Sequence, residues 1–185
     1  VKEMSEGELL QIKKVRLLNI DETAYFEIIR KKTASLISAA MVAGATSSKM
    51  NPDNLEKIKN IGYYIGIVFQ IRDDIFDYEC NKNTGKSEGN DIKEQKITLP
   101  VIYVLNNCKS SERHKIISII KNHNHDKDKR NELIEMVNNL GGVDYSKKIM
   151  SEYKDKALEL LSSFPHNDAR ESFEALFNYI IKRNN

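Results

Sequence analysis

The sequence of 185 residues has no tryptophan and only two cysteines, three prolines and eight glycines. The cysteines, Cys80 and Cys108, are far apart and have no partner at a metal-ligand spacing, which argues against a disulfide framework and a structural zinc site. Such cysteine use fits a reducing compartment, so we expect a cytoplasmic location. No apolar run reaches about 18 residues and the N-terminus lacks the apolar block of a signal peptide, so we expect no integral membrane segment.

The chain also lacks an excess of charge of either sign, because its 29 basic and 27 acidic residues leave a formal net charge of +2. No global field therefore favours a nucleic acid or an acidic membrane as the main partner, and we expect no nucleic-acid binding. Any chemistry must come from local charge. The length suits one domain over residues 1–185, which can bury roughly 70% of the surface of its unfolded chain.

The scarcity of glycine and proline, together with apolar patterns of period 3.6 and no alternating pattern, predicts an all-α fold. Asp21 is a candidate N-cap for the first strong helix, and Asn51 followed by Pro52 starts the next one. The second of these helices is apolar around most of its circumference, so we expect it at the centre of a helical bundle. The predicted helices span residues 21–48, 52–78, a segment from 98 onward, 112–123, 129–140, 145–164 and 169–182, and residues 80–96 form a polar loop.

Three aspartates interrupt the apolar pattern of the predicted central helix. Residues 69–77 read FQIRDDIFD, and positions three or four apart share one face of a helix. Asp77 therefore lies one turn after Asp73 and Asp74, and Gln70 lies one turn before them. Carboxylates one turn apart repel each other, by more where the local dielectric is low, so we expect a positive partner.

An aspartate stripe of this kind offers only oxygen ligands, which suits Mg²⁺ better than zinc. Mg²⁺ commonly shares its coordination with a phosphate, and Lys86 and Lys96 border the same helix end as candidate phosphate-binding cations. Considered alone, a D-D-x-x-D pattern is more often a solvated charged face, and lysines in a polar loop are ordinary. The position inside an apolar helix favours a site, because unpaired buried carboxylates cost several kcal/mol each, as an order of magnitude.

The order of Phe-Gln, Asp-Asp-x-x-Asp, Gly-Lys, Gly-x-Asp, Lys and Thr-Leu-Pro over residues 69–100 resembles the second aspartate-rich region of the trans-isoprenyl diphosphate synthases, the polyprenyl synthetase family. Further segments of the chain resemble the same family. Gly7-Glu8 with Gln11 is similar to its G-E/Q segment, and residues 25–45 are similar to its Lys-Thr helix. The pair Gly141-Gly142 and the final YIIKR also match. The resemblance implies a helical bundle of the isoprenoid synthase type.

This resemblance implies a prenyltransferase that condenses isopentenyl diphosphate with an allylic prenyl diphosphate to make a longer trans-polyprenyl diphosphate. It also implies a homodimer, which we expect for the intact enzyme. The cofactor implied is Mg²⁺, held by Asp73, Asp74 and Asp77, and we expect Asp73 above all to bind the ion directly. The same resemblance implies that three lysines contact the diphosphate and that two polar residues face the allylic cation. The lysines are Lys32, Lys86 and Lys96, and the polar residues are Thr33 and Gln70.

The resemblance has departures, and two other functions stay open. No first aspartate-rich motif occurs before residue 73, so we expect the chain to be the C-terminal portion of a synthase domain, catalytically incomplete alone. Lys31 and Gln95 stand where glycine is expected, which we interpret as tuning. A non-catalytic subunit is one alternative. A terpene cyclase is another, disfavoured because such enzymes usually carry an Asn-Ser-Glu-type motif where this chain has DDIFD.

Overall fold

The computed structural model describes residues 2–17, 21–79 and 89–183, and these residues form ten α-helices, one π-helical turn and no strand. The predicted all-α fold is confirmed. In chain order the elements are α1 (Lys2–Leu17), α2 (Glu22–Ile29), the π turn (Arg30–Ala34), α3 (Ser35–Ser47), α4 (Pro52–Phe76), α5 (Asn90–Lys93), α6 (Leu99–Asn107), α7 (Ser110–Asn122), α8 (Lys127–Asn139), α9 (Gly142–Ser162) and α10 (Asp168–Lys182).

Two side-chain caps fix where the helices around the site begin. The Asp21 carboxylate accepts a hydrogen bond of 2.7 Å from the backbone N–H of Ala24 at the start of α2. The Asn51 side chain accepts one of 2.9 Å from the backbone N–H of Asn54, and Pro52 occupies the first turn of α4. Such caps satisfy backbone donors that the helix itself leaves unpaired. Both predicted helix starts are confirmed.

The predicted helix over residues 21–48 is not one regular helix, because a π turn divides it. The backbone N–H of Ser35 donates to the carbonyl oxygen of Arg30, five residues earlier. The Ser35 hydroxyl also donates to the carbonyl of Lys31 at 2.6 Å. Single π turns inside helices are rare and often lie at functional sites. Here the turn contains the Lys-Thr pair of the sequence motif, at Lys32 and Thr33.

Helix α4 lies at the centre of the bundle, as predicted, and packs along α3 on one side and α9 on the other. Four of its aliphatic side chains are fully buried, namely Ile61, Val68, Ile71 and Ile75. Two glycines bring α4 close to the preceding elements. A Cβ added at Gly62 would lie 2.6 Å from the Cα of Ser38, and one added at Gly66 would lie 2.4 Å from the Cα of Ala34.

The predicted loop over residues 80–96 is only partly testable, because residues 80–88 lie outside the described residues. The prediction is wrong for Asn90–Lys93, which form the single helical turn α5. Ile92 is fully buried and anchors this turn to the core. Gln95, which follows it, has φ 56°, a backbone conformation that glycine adopts at lower cost. This positive φ is a physical reason for the glycine that the family resemblance leads us to expect at position 95.

The later helices agree with the predicted ones to within a few residues, and Gly141 ends the α8 region with φ 79°. Gly142 begins α9 at a tight contact, because a Cβ there would lie 2.5 Å from the carbonyl oxygen of Pro100. Among the helices that the structure describes, none is both long enough and apolar enough to cross a membrane.

The close contact at Gly66 should make its replacement costly. Gly66→Ala places a methyl group against the backbone of Ala34, so α4 must move away, and we expect a loss of about 1–3 kcal/mol in the free energy of unfolding. Gly44→Ala is the matched control, because a Cβ at Gly44 meets no atom within 4 Å. In α3 that change should stabilise by about 0.5–1 kcal/mol. Urea unfolding measures both, and equal effects would contradict the packing described.

Candidate functional site

A cavity of about 100 Å³ lies between α1, α2, the π turn, α4 and the segment that precedes α6. It brings together five residues that the sequence analysis assigned to the site, although they come from three separate parts of the chain. These are Lys32, Thr33, Gln70, Asp74 and Lys96. The other lining residues are Gln11, Tyr25, Ile28, Ile29, Asp91, Ile97 and Thr98. Predicted site residue Lys86 lies outside the described residues.

Asp74 is the most enclosed of the three aspartates, with 5% of its surface exposed. Its Oδ2 accepts a hydrogen bond of 2.7 Å from the Tyr25 hydroxyl, and its Oδ1 accepts one of 2.9 Å from Nε2 of Gln70. The Gln70 carbonyl oxygen accepts in turn a bond of 2.8 Å from the Thr33 hydroxyl. Tyr25, Asp74, Gln70 and Thr33 therefore form one continuous chain of hydrogen bonds along the cavity wall.

Burial changes the acidity of two members of this chain. Burial and, to a smaller extent, the nearby negative charge of Asp91 raise the pKa of Asp74 to about 7, although the hydrogen bonds from Tyr25 and Gln70 act in the opposite direction. Burial and the Asp74 carboxylate hold the pKa of the Tyr25 hydroxyl well above its ordinary value. Tyr25 consequently keeps its proton and stays a hydrogen-bond donor.

Asp77 and Asp91 form an acidic pair near Asp74, at the end of α4. The Asp77 carboxylate accepts a hydrogen bond from the backbone N–H of Asp91, which joins α5 to α4. Burial raises the pKa of Asp77. Burial and the Asp77 charge raise the pKa of Asp91 to about 6, while Lys96 lowers it. The ammonium of Lys96 lies 3.6 Å from Asp91 Oδ1 and also pairs with Glu94.

The third aspartate, Asp73, faces a different cation. Its carboxylate pairs with the guanidinium of Arg183, which follows α10. That guanidinium lies 4.2 Å from the ring centre of Phe69 and 5.3 Å from that of Phe76. Arg72 donates from Nη2 to the Arg183 carbonyl at 3.0 Å and holds its backbone in place. The positive partner that we expected for the aspartate stripe is thus Arg183, which forms an ion pair with Asp73.

The three aspartates do not converge on one point. Within residues 2–17, 21–79 and 89–183, no three acidic, histidine or cysteine side chains form a group that could hold a metal ion. The metal role of Asp73, Asp74 and Asp77 therefore stays a prediction. The donor chemistry still fits a hard cation, because oxygens are the ligands that Mg²⁺ prefers and the buried carboxylates Asp74 and Asp91 repel each other.

Lys32, the first predicted diphosphate ligand, faces α1. Its ammonium lies 2.6 Å from Glu8 and donates a hydrogen bond of 2.8 Å to Gln11. The segment that the sequence analysis matched at Gly7-Glu8 and Gln11 thus contacts the Lys-Thr motif directly. Lys31, which stands where glycine is expected, points to Glu27 at 3.1 Å and Glu6 at 3.4 Å. Lys31 therefore forms ion pairs and does not line the cavity.

Sequence reasoning missed three residues of the site. Tyr25 reads as one more core position of an amphipathic helix, and only its place eight residues before Thr33 could have drawn attention to it. Asp91 was part of the quoted Gly-x-Asp motif and received no role. Arg183 lies 110 residues from Asp73, and the YIIKR pattern gave no sign of that contact.

The fold and the site define a class of all-α proteins with a polar cavity beside a central, aspartate-bearing helix. The polyprenyl synthetase family model matches residues 1–137. A short chain isoprenyl diphosphate synthase of Methanothermobacter thermautotrophicus is 32% identical over 179 residues, which are 96% of this chain and 54% of that protein. Heptaprenyl diphosphate synthase component 2 of Geobacillus stearothermophilus is 33% identical over 182 residues, which are 98% of this chain and 56% of that protein. The chain belongs to the polyprenyl synthetase family.

Solved structures agree with that family. Geranylgeranyl pyrophosphate synthase from Bacteroides thetaiotaomicron has a TM-score of 0.90 at 37% identity, with 98% of this chain and 60% of that chain covered. Polyprenyl synthase from Caulobacter crescentus, complexed with calcium and isoprenyl diphosphate, has a TM-score of 0.90 at 32% identity, with 98% and 56% covered. The chain spans about half the length of the curated relatives that it matches.

The raised carboxylate pKa values predict how stability depends on pH. Since Asp74 and Asp91 have folded-state pKa values of about 7 and about 6, the folded state binds more protons than the unfolded state between about pH 4 and pH 7. The free energy of unfolding should therefore fall as the pH rises through this window. Urea unfolding at about pH 5 and pH 7.5 measures the effect.

Asp74→Asn is the control for this pH dependence, because an amide cannot ionise. Its stability should fall less between the two pH values than that of the unchanged protein. Equal pH dependence in both proteins, or a stability that rises with pH, would contradict the assignment of a buried carboxyl with a raised pKa.

Proposed function

We propose that the domain containing this chain is a Mg²⁺-dependent trans-prenyltransferase that joins isopentenyl diphosphate to an allylic prenyl diphosphate. The observation that carries the proposal is the convergence of Thr33, Gln70, Lys32 and Lys96 beside buried Asp74 in one cavity. Relatives named isoprenyl and heptaprenyl diphosphate synthases support it. We also propose a homodimer in the cytoplasm. The activity is assigned to the domain as a whole, because the relatives are nearly twice as long as the chain.

The proposed metal ligands differ in how available their oxygens are. Asp73 is the most open, with 41% of its side chain exposed, although Arg183 must release it. The Asp77 carboxylate accepts a hydrogen bond from the backbone N–H of Asp91 in α5. Asp74 can offer only the lone pairs that Tyr25 and Gln70 leave unused. Mg²⁺ held there would neutralise negative charge on a diphosphate leaving group.

Lys32 and Lys96 are the proposed diphosphate ligands within the described part of the chain, and Lys86 is proposed from the motif alone. Both described lysines now contact carboxylates, with Lys32 at Glu8 and Lys96 at Glu94. These pairs are half-exposed, so exchanging them for phosphate oxygens costs little. The lysines would stabilise the charge that develops on the leaving diphosphate as its C–O bond breaks.

Thr33 and Gln70 are the proposed catalytic partners of the allylic cation. Both line the cavity, which also has two lysines and the apolar residues Ile28 and Ile29 in its wall. A hydroxyl and an amide oxygen carry partial negative charge and are weak nucleophiles. They can therefore favour a nearby positive charge electrostatically without supplying a competing nucleophile.

Asp73→Asn should reduce turnover of the full-length protein by about 10²- to 10³-fold, because it removes a metal-binding charge at the leaving group. The assay incubates labelled isopentenyl diphosphate, an allylic primer and Mg²⁺, and measures extracted prenyl product against a chelator. Asp155→Asn on the exposed side of α9 is the control and should leave turnover unchanged. Wild-type turnover in Asp73→Asn would remove this residue from the mechanism, and no product from the wild type would overturn the proposed function.

Lys96→Ala should have a milder effect, because one ammonium group beside a solvated diphosphate contributes about ten- to a hundredfold in turnover. Its control is Lys93→Ala, at the end of the preceding turn α5, whose side chain is exposed and does not line the cavity. Steady-state kinetics of both variants measure the difference. The same kcat and KM in Lys96→Ala as in the wild type would show that Lys96 is a surface charge only.

A further inference from the structure

The hydrogen-bond chain along the cavity has a direction, and Asp74 sets it. Both Asp74 oxygens accept hydrogen bonds, Oδ2 from the Tyr25 hydroxyl and Oδ1 from Nε2 of Gln70, so the atom of Gln70 that faces Asp74 is the amide nitrogen. The amide oxygen then points the other way, towards Thr33. Because that oxygen can only accept, the Thr33 hydroxyl must donate its one proton to it.

The direction of these hydrogen bonds decides which atoms of Thr33 and Gln70 are available to a group bound in the cavity. The Thr33 proton and one Gln70 amide proton are both used within the chain, so the Thr33 oxygen keeps its lone pairs and the Gln70 oxygen keeps one. Both residues line the cavity. Reversal of the chain would instead present protons, which repel a cation. The hydrogen bond from Gln70 to Asp74 thus sets which atoms of Gln70 and Thr33 are available to the cavity.

Tyr25 completes the arrangement from the opposite side. It is 4% exposed, and its hydroxyl binds Oδ2 of Asp74, while Gln70 binds Oδ1. With a donor on each oxygen, the carboxylate cannot rotate without breaking a hydrogen bond. We propose that Tyr25 is a positioning residue: through Asp74 it holds Gln70 and Thr33 with their oxygen lone pairs, and not their protons, available to the cavity. The benefit to catalysis rests on the proposed function, in which a cation forms there.

The Gln70 amide can be observed directly. The sequence has three glutamines, Gln11, Gln70 and Gln95, so labelling glutamine side chains with ¹⁵N gives three pairs of NMR signals, and a Gln70→Leu variant assigns the relevant pair. In the 185-residue chain, Tyr25→Phe should accelerate hydrogen exchange of the Gln70 amide protons by about tenfold, the equivalent of one weakened hydrogen bond. Signals of Gln95 serve as the internal reference.

The matched control is Tyr145→Phe. The Tyr145 hydroxyl also donates to a carboxylate, that of Glu22 at 2.8 Å, but it does not line the cavity. Both variants lose a tyrosine–carboxylate hydrogen bond and should keep the helical circular dichroism of the wild type. Only Tyr25→Phe should change Gln70 exchange. Equal exchange in the two variants would overturn the proposal.

Thr33→Val tests the direction of control and is close in shape to the original residue. If Asp74 fixes the Gln70 amide, removing the Thr33 hydroxyl leaves Gln70 exchange within about twofold of the wild type, because the amide protons stay bonded to the carboxylate. If the Thr33 hydroxyl fixes the amide, exchange accelerates and the proposal fails. This variant also gives an answer if Tyr25→Phe does not fold.

Kinetics of the full-length protein then separate the two proposals. Tyr25→Phe should lower kcat about tenfold with KM for the allylic diphosphate unchanged, because the ground-state contacts of the diphosphate are elsewhere. Faster Gln70 exchange with unchanged kcat would refute a positioning role in catalysis. A wild type without prenyltransferase activity would refute the proposed function, while the exchange results would still decide whether Tyr25 orients Gln70.

Discussion

The site depends on one buried carboxyl group, that of Asp74, and on the hydrogen bonds to its two oxygens. A carboxylate removed from water loses solvation worth several kcal/mol as an order of magnitude, and here two hydrogen bonds replace part of it. No lysine or arginine of the described residues forms an ion pair with Asp74. The remaining cost is visible in its pKa of about 7. A buried carboxyl group that lowers stability is generally retained for its function, and Asp74 lines the cavity where that function is proposed.

The fold allows this contact through close packing of the backbone. Gly62 and Gly66 let α4 approach Ser38 and the π turn more closely than any side chain would permit. That approach brings Gln70 within hydrogen-bond distance of Thr33. The π turn shifts the register of its helix at the same place. Stability and chemistry are therefore coupled here, because the glycines that join the helices also determine the separation of the polar groups.

Much of this arrangement could be predicted from sequence, because it depends on local patterns. The caps at Asp21 and Asn51 and the central position of α4 follow from local sequence patterns, and the resemblance to the family implies the shared site of Thr33 and Gln70. The π turn could not be predicted, since its residues suit a regular helix equally well. The partner of Asp73 could not be predicted either, because it lies 110 residues away and only tertiary packing brings it near.

The cluster of carboxylates at the end of α4 gives the account its most direct test. Asp74, Asp77 and Asp91 repel anions, so diphosphate should enter only with a divalent cation between it and the carboxylates. The decisive measurement is calorimetric titration of inorganic diphosphate into the full-length protein, once with Mg²⁺ and once with a chelator. The account predicts saturable binding with Mg²⁺ and none with the chelator. Equal binding in both conditions, or no binding in either, would contradict it.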